Sequence, residues 1–355
     1  MRKVDNSLLS ITVIITTIIS FSFAEAAIAP YKELDSEKAS IKNWGLDNPF
    51  PSHIGIRDAW RVTKGDPHIV VAVIDTGIDA NHPDLKNSLW HKPGTEEYGF
   101  DFVSGTKNPI DENGHGTHIA GIIAASARNV GGVIGVAPQV KIMAIRFLSG
   151  DPHDPTPGKE MIHNSAQAIN YAIDHGANII NYSDGGKQFS DEEKKAIQRA
   201  GAHGILFVAA AGNDQQNEDS NEVRHFYPAA YGLDNIISVA ATNIRNQLIP
   251  CSNWGFKTVH VAAPGDNILS TLPNGRYGYL TGTSQATAFV SGLAALLLSK
   301  DRSLKVADLK RIIMKSVDTQ KSLEEKIASS GRINASRALH LLSLQENRSL
   351  ANLQN

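Results

Sequence analysis

Ile69-Val70-Val71-Ala72-Val73-Ile74 is an unbroken apolar run, rich in β-branched residues, that stops at Asp75-Thr76-Gly77. A strand wetted on one side alternates apolar and polar residues. A continuous run reads instead as a strand covered on both faces, as in a parallel sheet between two helical layers. The same signature returns at Val140–Phe147, Ala177–Asn181, Ile205–Ala211 and Ile236–Thr242, with a further candidate at Lys257–Ala262. Helical patterns lie between them. His115–Ala125 is small-residue and apolar and reads as an internal helix. Ile162, Ala166, Ile169 and Ile173 recur at helical spacing before Gly176, and Ser190 with Glu193 makes a capping box for a helix to about Ala202. Another helix is expected at Val306–Lys315. The alternation specifies an α/β fold: one doubly wound, mostly parallel sheet flanked by helices in a single domain. Ligands of such sheets bind outside the C-terminal strand ends, where Asp75, Ser183-Asp184 and Gly212-Asn213 fall.

A chain of 355 residues with 41% hydrophobic residues can bury a large core. Its 34 basic and 36 acidic side chains leave a formal charge of −2, no electrostatic footing for nucleic acid or an anionic membrane. Cys251 is the only cysteine, which excludes an intrachain disulfide and a cysteine-based zinc site. At the start, Arg2 and Lys3 precede the apolar run Leu8–Phe23 and the small residues Ala24-Glu25-Ala26-Ala27-Ile28-Ala29. This is the pattern of a secretory signal cleaved after Ala26, or as late as Ala29. An uncleaved anchor would need about 20 apolar residues, and the run is short for that. The expected organisation is a signal peptide at 1–26, a short leader at 27–43, a globular domain at 44–342 and a polar tail at 343–355. The product is expected to be exported, secreted or periplasmic, without stable membrane association after cleavage.

Within Tyr279-Leu280-Thr281-Gly282-Thr283-Ser284-Gln285-Ala286, a polar turn feeds an apolar helix, and Ser284 sits at the junction. Serine there has two readings. It can cap the helix, or it can be a nucleophile at the positive end of the helix dipole. An acylating serine needs a neutral imidazole to take its proton and an acid to fix that imidazole's tautomer. His115 opens a helix and Asp75 closes a strand, so the chain holds candidates for both. His115 and His118 also have the spacing of a metal pair, but no glutamate lies between them and no third ligand is near, which argues against a zinc hydrolase.

The order of Ile74-Asp75-Thr76-Gly77, Asn113-Gly114-His115-Gly116-Thr117-His118 and Gly282-Thr283-Ser284 resembles the subtilisin-like serine peptidases, or subtilases. Ala210-Ala211-Gly212-Asn213, Asn253-Trp254-Gly255, Ala262-Ala263-Pro264-Gly265 and Gly331-Arg332-Ile333-Asn334-Ala335 extend the resemblance over Trp44–Leu342. It implies Ser284 as nucleophile, His115 as general base and then acid, Asp75 as the orienting carboxylate, and Asn213 as a side-chain oxyanion donor. Read on its own, Asn213 is equally a strand-end turn residue. The resemblance also implies a structural calcium ion on Asp84 and the loop at Asn129, with no catalytic metal; Asp84 could instead cap a turn.

The chain departs from the family after the serine, where Gln285-Ala286-Thr287-Ala288-Phe289 replaces the usual Met-Ala-x-Pro-His, and at the substrate walls. Ser183-Asp184-Gly185 stands where the family has Ser-Leu-Gly or Ser-Trp-Gly, Asp214 follows Asn213, and Glu160 lies in a segment, 158–162, expected to pair with substrate backbone. Three carboxylates at one cleft would favour Lys or Arg around the scissile bond, against the reading that Asp184 starts a turn and the others face water. The function expected is an exported serine endopeptidase acting on protein or peptide substrates through an acyl-enzyme on Ser284. The alternatives are a catalytically impaired binding or scaffold protein on the same fold, and an esterase using the same triad.

Overall fold

The computed structural model describes residues 32–33, 43–127, 132–150 and 158–353. The expected signal peptide, most of the leader, Asn129 and the proline-rich loop 151–157 lie outside them. After a two-residue strand β1 (Lys32–Glu33), the apolar run forms β2 (Val70–Asp75), buried throughout. The strands β3 (Gly99–Asp101), β4 (Lys141–Arg146), β5 (Ile179–Tyr182), β6 (Leu206–Ala210), β7 (Ile236–Thr242) and β8 (Val261–Pro264) join it in parallel. Two strands, β9 (Ile268–Leu272) and β10 (Arg276–Leu280), form an antiparallel pair that β1 extends. At the far edge of the main sheet β12 (Gly331–Arg332) pairs with β8 in parallel and with β11 (Asp318–Thr319) antiparallel. Among the described residues the main sheet therefore has nine strands, in the order β11-β12-β8-β7-β6-β5-β2-β4-β3.

The helices are α1 (Ile56–Val62), α2 (His115–Ala124), α3 (Gly158–Asp174), α4 (Asp191–Ala202), α5 (Thr283–Lys300), α6 (Val306–Lys315) and α7 (Ala335–Leu353). Strand side chains alternate between two cores, as a period of two requires. Val71 and Val73 of β2 join Ile119, Ile123, Val290 and Leu293 of α2 and α5, while Val70, Ala72 and Ile74 join Ile169, Ile173 and Ile197 of α3 and α4. Helix α5 is buried along almost its whole length, which explains why its sequence is apolar all round. None of the described helices is long and apolar enough to cross a membrane.

Strand order reverses at β2: the chain leaves it for β3 and β4 on one side and returns to β5 on the other. Ile74 is level with Tyr182, so Asp75 and Ser183 leave neighbouring strands side by side at the crevice where a doubly wound sheet binds its ligand.

Three local differences from the expected elements have physical causes. The strand expected from Lys257 begins only at Val261, because the Asp219 carboxylate accepts from the N–H groups of Lys257 (2.9 Å) and Thr258 (3.0 Å) and holds them in a turn. The β9–β10 hairpin adds to the expected elements, and Asn274-Gly275, both at positive φ (65° and 69°), is its turn signal. The expected polar tail is helical as far as Leu353, since α7 runs through the boundary set at 342.

Candidate active site

Asp75 ends β2 with 1% of its surface exposed. Its Oδ1 accepts the Thr76 N–H at 2.8 Å and lies 2.7 Å from His115 Nδ1. His115 is the first residue of α2, and the start of that helix is fastened by a carboxylate that sequence reasoning missed. Buried Asp111 accepts from the N–H groups of Gly114 (2.7 Å) and Thr117 (2.9 Å) and from the hydroxyls of Thr117 (2.6 Å) and Thr76 (2.9 Å). The signal was present: Asp just ahead of Asn-Gly at a helix start satisfies orphan N–H groups. Gly116 completes the placement, because a Cβ there would overlap the Gly77 carbonyl and press on Asp75.

Burial opposes charge on the His115 ring. The charge and hydrogen bond of Asp75, with smaller contributions from Asp184 and Asp111, prevail and hold the imidazole up at about 9. Burial, helped by the charge of Asp75, raises Asp184 to about 6 against the Gly185 N–H and the pull of His115.

His118 behaves differently. Its fully buried ring donates from Nε2 to the carbonyls of Ile268 (3.0 Å) and Gly278 (3.2 Å), which staples α2 to β9 and β10. Desolvation and the neighbouring His115 lower it to about 3, so it stays neutral. His115 Nδ1 faces Asp75 and His118 Nε2–H faces carbonyls, so one nitrogen of each ring is already engaged within the protein. No group of three or more metal-binding side chains occurs among the described residues.

Ser284 is the second residue of α5; Gly282 takes the cap position, so the capping reading of this serine fails. Ser284 Oγ donates to the Ser183 carbonyl at 2.8 Å, and Ser183 Oγ donates to the Ser284 carbonyl at 3.0 Å. Buried Asn181 reinforces this clasp by donating to Ser183 Oγ (2.9 Å) and accepting from Ser291 Oγ (2.8 Å). Beyond β6, Asn213 Oδ1 accepts from Thr283 N–H (3.0 Å) and Thr283 Oγ1 (3.2 Å), which anchors the oxygen end of the amide. The unusual residues after the serine are interior: Gln285 is 1% exposed, and Ala288 and Phe289 are fully buried. Phe289 packs where a Cβ on Gly45 would come within 2.5 Å of its ring.

The three carboxylates expected at the cleft are not three free charges. Asp214 lies 3.4 Å from Lys187 Nζ. Glu160 is exposed in the first turn of α3, a helix and not the extended segment expected there. Asp184 alone of the three is coupled to the His115–Asp75 pair. Asp84 is fully buried, and its Oδ2 accepts from Val133 N–H (2.9 Å) and Tyr277 O–H (2.8 Å). Asn129, expected to act with it, lies outside the described residues.

A family model described as the subtilase family matches residues 66–334. The chain belongs to the subtilase family. This subtilase is 41% identical over 245 residues to the thermophilic serine proteinase of Bacillus sp. (strain AK1), an alignment covering 69% of this chain and 56% of that protein. It is 41% identical over 257 residues to the major intracellular serine protease of Bacillus subtilis (strain 168), covering 71% and 76% respectively. It is 36% identical over 289 residues to thermitase of Thermoactinomyces vulgaris, covering 81% and 94%. The chain thus spans about half of the first relative (56%) and nearly all of thermitase (94%). Serine-type endopeptidase is the activity that goes with the subtilase family.

Proposed function

We propose that this subtilase is an exported serine endopeptidase in which Asp75, His115 and Ser284 form the catalytic triad and Asn213 the side-chain arm of the oxyanion hole. The 2.7 Å contact of Asp75 with His115, at the strand ends where Ser284 and Asn213 are clasped, carries the reading. In the reaction the Ser284 hydroxyl turns from the Ser183 carbonyl toward His115 Nε2 and gives up its proton there as Oγ bonds the peptide carbonyl carbon. The resulting oxyanion accepts from Asn213 Nδ2 and from the Ser284 N–H at the positive end of α5. Collapse breaks the C–N bond, and the departing amine takes the proton from His115. Water then repeats the sequence on the ester: His115 takes its proton, the hydroxide oxygen bonds the acyl carbon, and the proton returns to Ser284 Oγ. Throughout, Asp75 keeps the Nδ1 proton in place and stabilises the imidazolium.

Export is supported by Arg2 and Lys3 before the apolar run and by the Ala-x-Ala sites; the intracellular relative makes it a point to test directly. N-terminal sequencing of mature protein outside the cytoplasm should begin after Ala26 or Ala29. A catalytically silent binding protein is the second reading, favoured by the bond of the Ser284 hydroxyl to a backbone carbonyl. Labelling by a fluorophosphonate decides between them. Label on the native chain and none on Ser284→Ala supports the peptidase; folded native chain without label supports the scaffold.

A further inference from the structure

The glycines that follow β5 and β6 face one and the same side chain. A Cβ on Gly185 would lie 2.5 Å from Cε1 and 2.8 Å from Cζ of Phe226, and a Cβ on Gly212 would lie 2.8 Å from its Cγ and 3.0 Å from its Cδ2. The ring therefore spans the gap between two adjacent strand ends, with one end against Gly212 and the other against Gly185. Those strand ends carry Ser183, whose carbonyl holds the Ser284 hydroxyl, and Asn213, whose amide is fixed on Thr283.

This arrangement bears on which peptide bond is cut, given the acyl-enzyme reading above. With the attacked carbonyl between Ser284 Oγ and Asn213 Nδ2, the gap beside both groups lies between backbone 183–185 and backbone 212–213, and we take it as the slot for the side chain of the residue that supplies that carbonyl. Glycine on both walls is the arrangement that lets a guest approach bare backbone closely. Here the space is already taken by part of the protein itself.

We propose that Phe226 is a specificity-determining residue that plugs this slot and restricts the carbonyl-donating residue of the substrate to small ones: glycine, alanine or serine. The plug is anchored from both sides. Its N–H donates to Glu218 Oε2 at 2.9 Å; Glu218 is 2% exposed and its Oε1 accepts from Asn253 Nδ2 at 2.8 Å, while that same Nδ2 reaches the Ala211 carbonyl at the end of β6 (3.0 Å). On the other side Tyr227 and Gly186 exchange two backbone hydrogen bonds of 2.8 Å each. Withdrawing the ring by moving its backbone would break these ties, so a large substrate side chain meets a fixed obstacle.

The test uses the mature chain and two chromogenic peptides that differ only in having Ala or Phe at the cleaved position. Native protein should favour the Ala peptide by at least about tenfold in kcat/KM. Phe226→Ala should raise kcat/KM for the Phe peptide by about tenfold or more while leaving the Ala peptide within about threefold, a reversal of preference. Phe226→Leu, which keeps an apolar anchor if the Ala variant folds poorly, should fall between the two. Native protein that labels with fluorophosphonate at Ser284 yet cleaves after Phe as readily as after Ala overturns the plug and leaves the catalytic reading standing. Folded protein that neither labels nor cleaves either peptide overturns both.

Discussion

At His115 the carboxylates around the ring outweigh its burial, and the consequence is a pH profile. A general base must be neutral, so with the imidazole held at about 9, kcat/KM should climb through the mildly alkaline range toward that value. Asp184 contributes to the upward shift whenever it is ionised, above its own value of about 6. Asp184→Asn should therefore move the midpoint of the profile to lower pH, by about half a unit. Stability carries the opposite sign. A histidine whose folded value lies above its ordinary 6.5 stabilises fully below 6.5, and that contribution is lost as pH rises through about 9. Thermal melts across that window should show the native chain losing stability while its turnover rises. At Asn213, removal of the Nδ2 donor by Asn213→Ala should lower kcat by about a hundred- to a thousandfold, the size found for such a donor in a member of this family, with little change in KM.

At the scale of elements, the site is held by α2 and α5, and their packing can be tested separately from the chemistry. Phe289, one turn beyond Ser284, is fully buried where the family usually has a polar residue, and its ring closes against Gly45. Phe289→Ala should destabilise the fold by about 3–5 kcal/mol in denaturant titrations, from lost transfer energy and the cavity left behind. Gly116→Ala should disturb the site more than its size suggests. The new Cβ collides with the Gly77 carbonyl and leans on Asp75, so α2 must lift and carry His115 with it. Activity should fall well before the melting temperature does. The pattern of apolar residues made α2 and α5 legible as internal helices, but nothing local to either one says how close it comes to the sheet.

Across the whole molecule, Arg332 ties distant parts of the chain together. It is fully buried on β12, and its guanidinium donates to Asp318 (2.5 Å), Asn246 (2.6 Å) and the Pro51 carbonyl (3.1 Å). Asp318→Ala would leave that cation buried without its carboxylate and should cost about 3–5 kcal/mol in the unfolding free energy, with the catalytic constants of the remaining folded protein unchanged. The sequence by itself determined the α/β class and the internal strands, because uniform burial writes continuous apolar runs, and its motifs named Asp75, His115, Ser284 and Asn213 as candidates through their resemblance to the subtilases. It also held unused signals for Asp111 and for the β9–β10 turn. Only the tertiary structure decided that Ser284 is not a cap, that Lys187 already faces Asp214, that Glu160 rides on a helix, and that Phe226 lies between Gly185 and Gly212. Those facts depend on which remote segments meet at one sheet edge, and a contact between residues far apart in the chain leaves no periodicity to read.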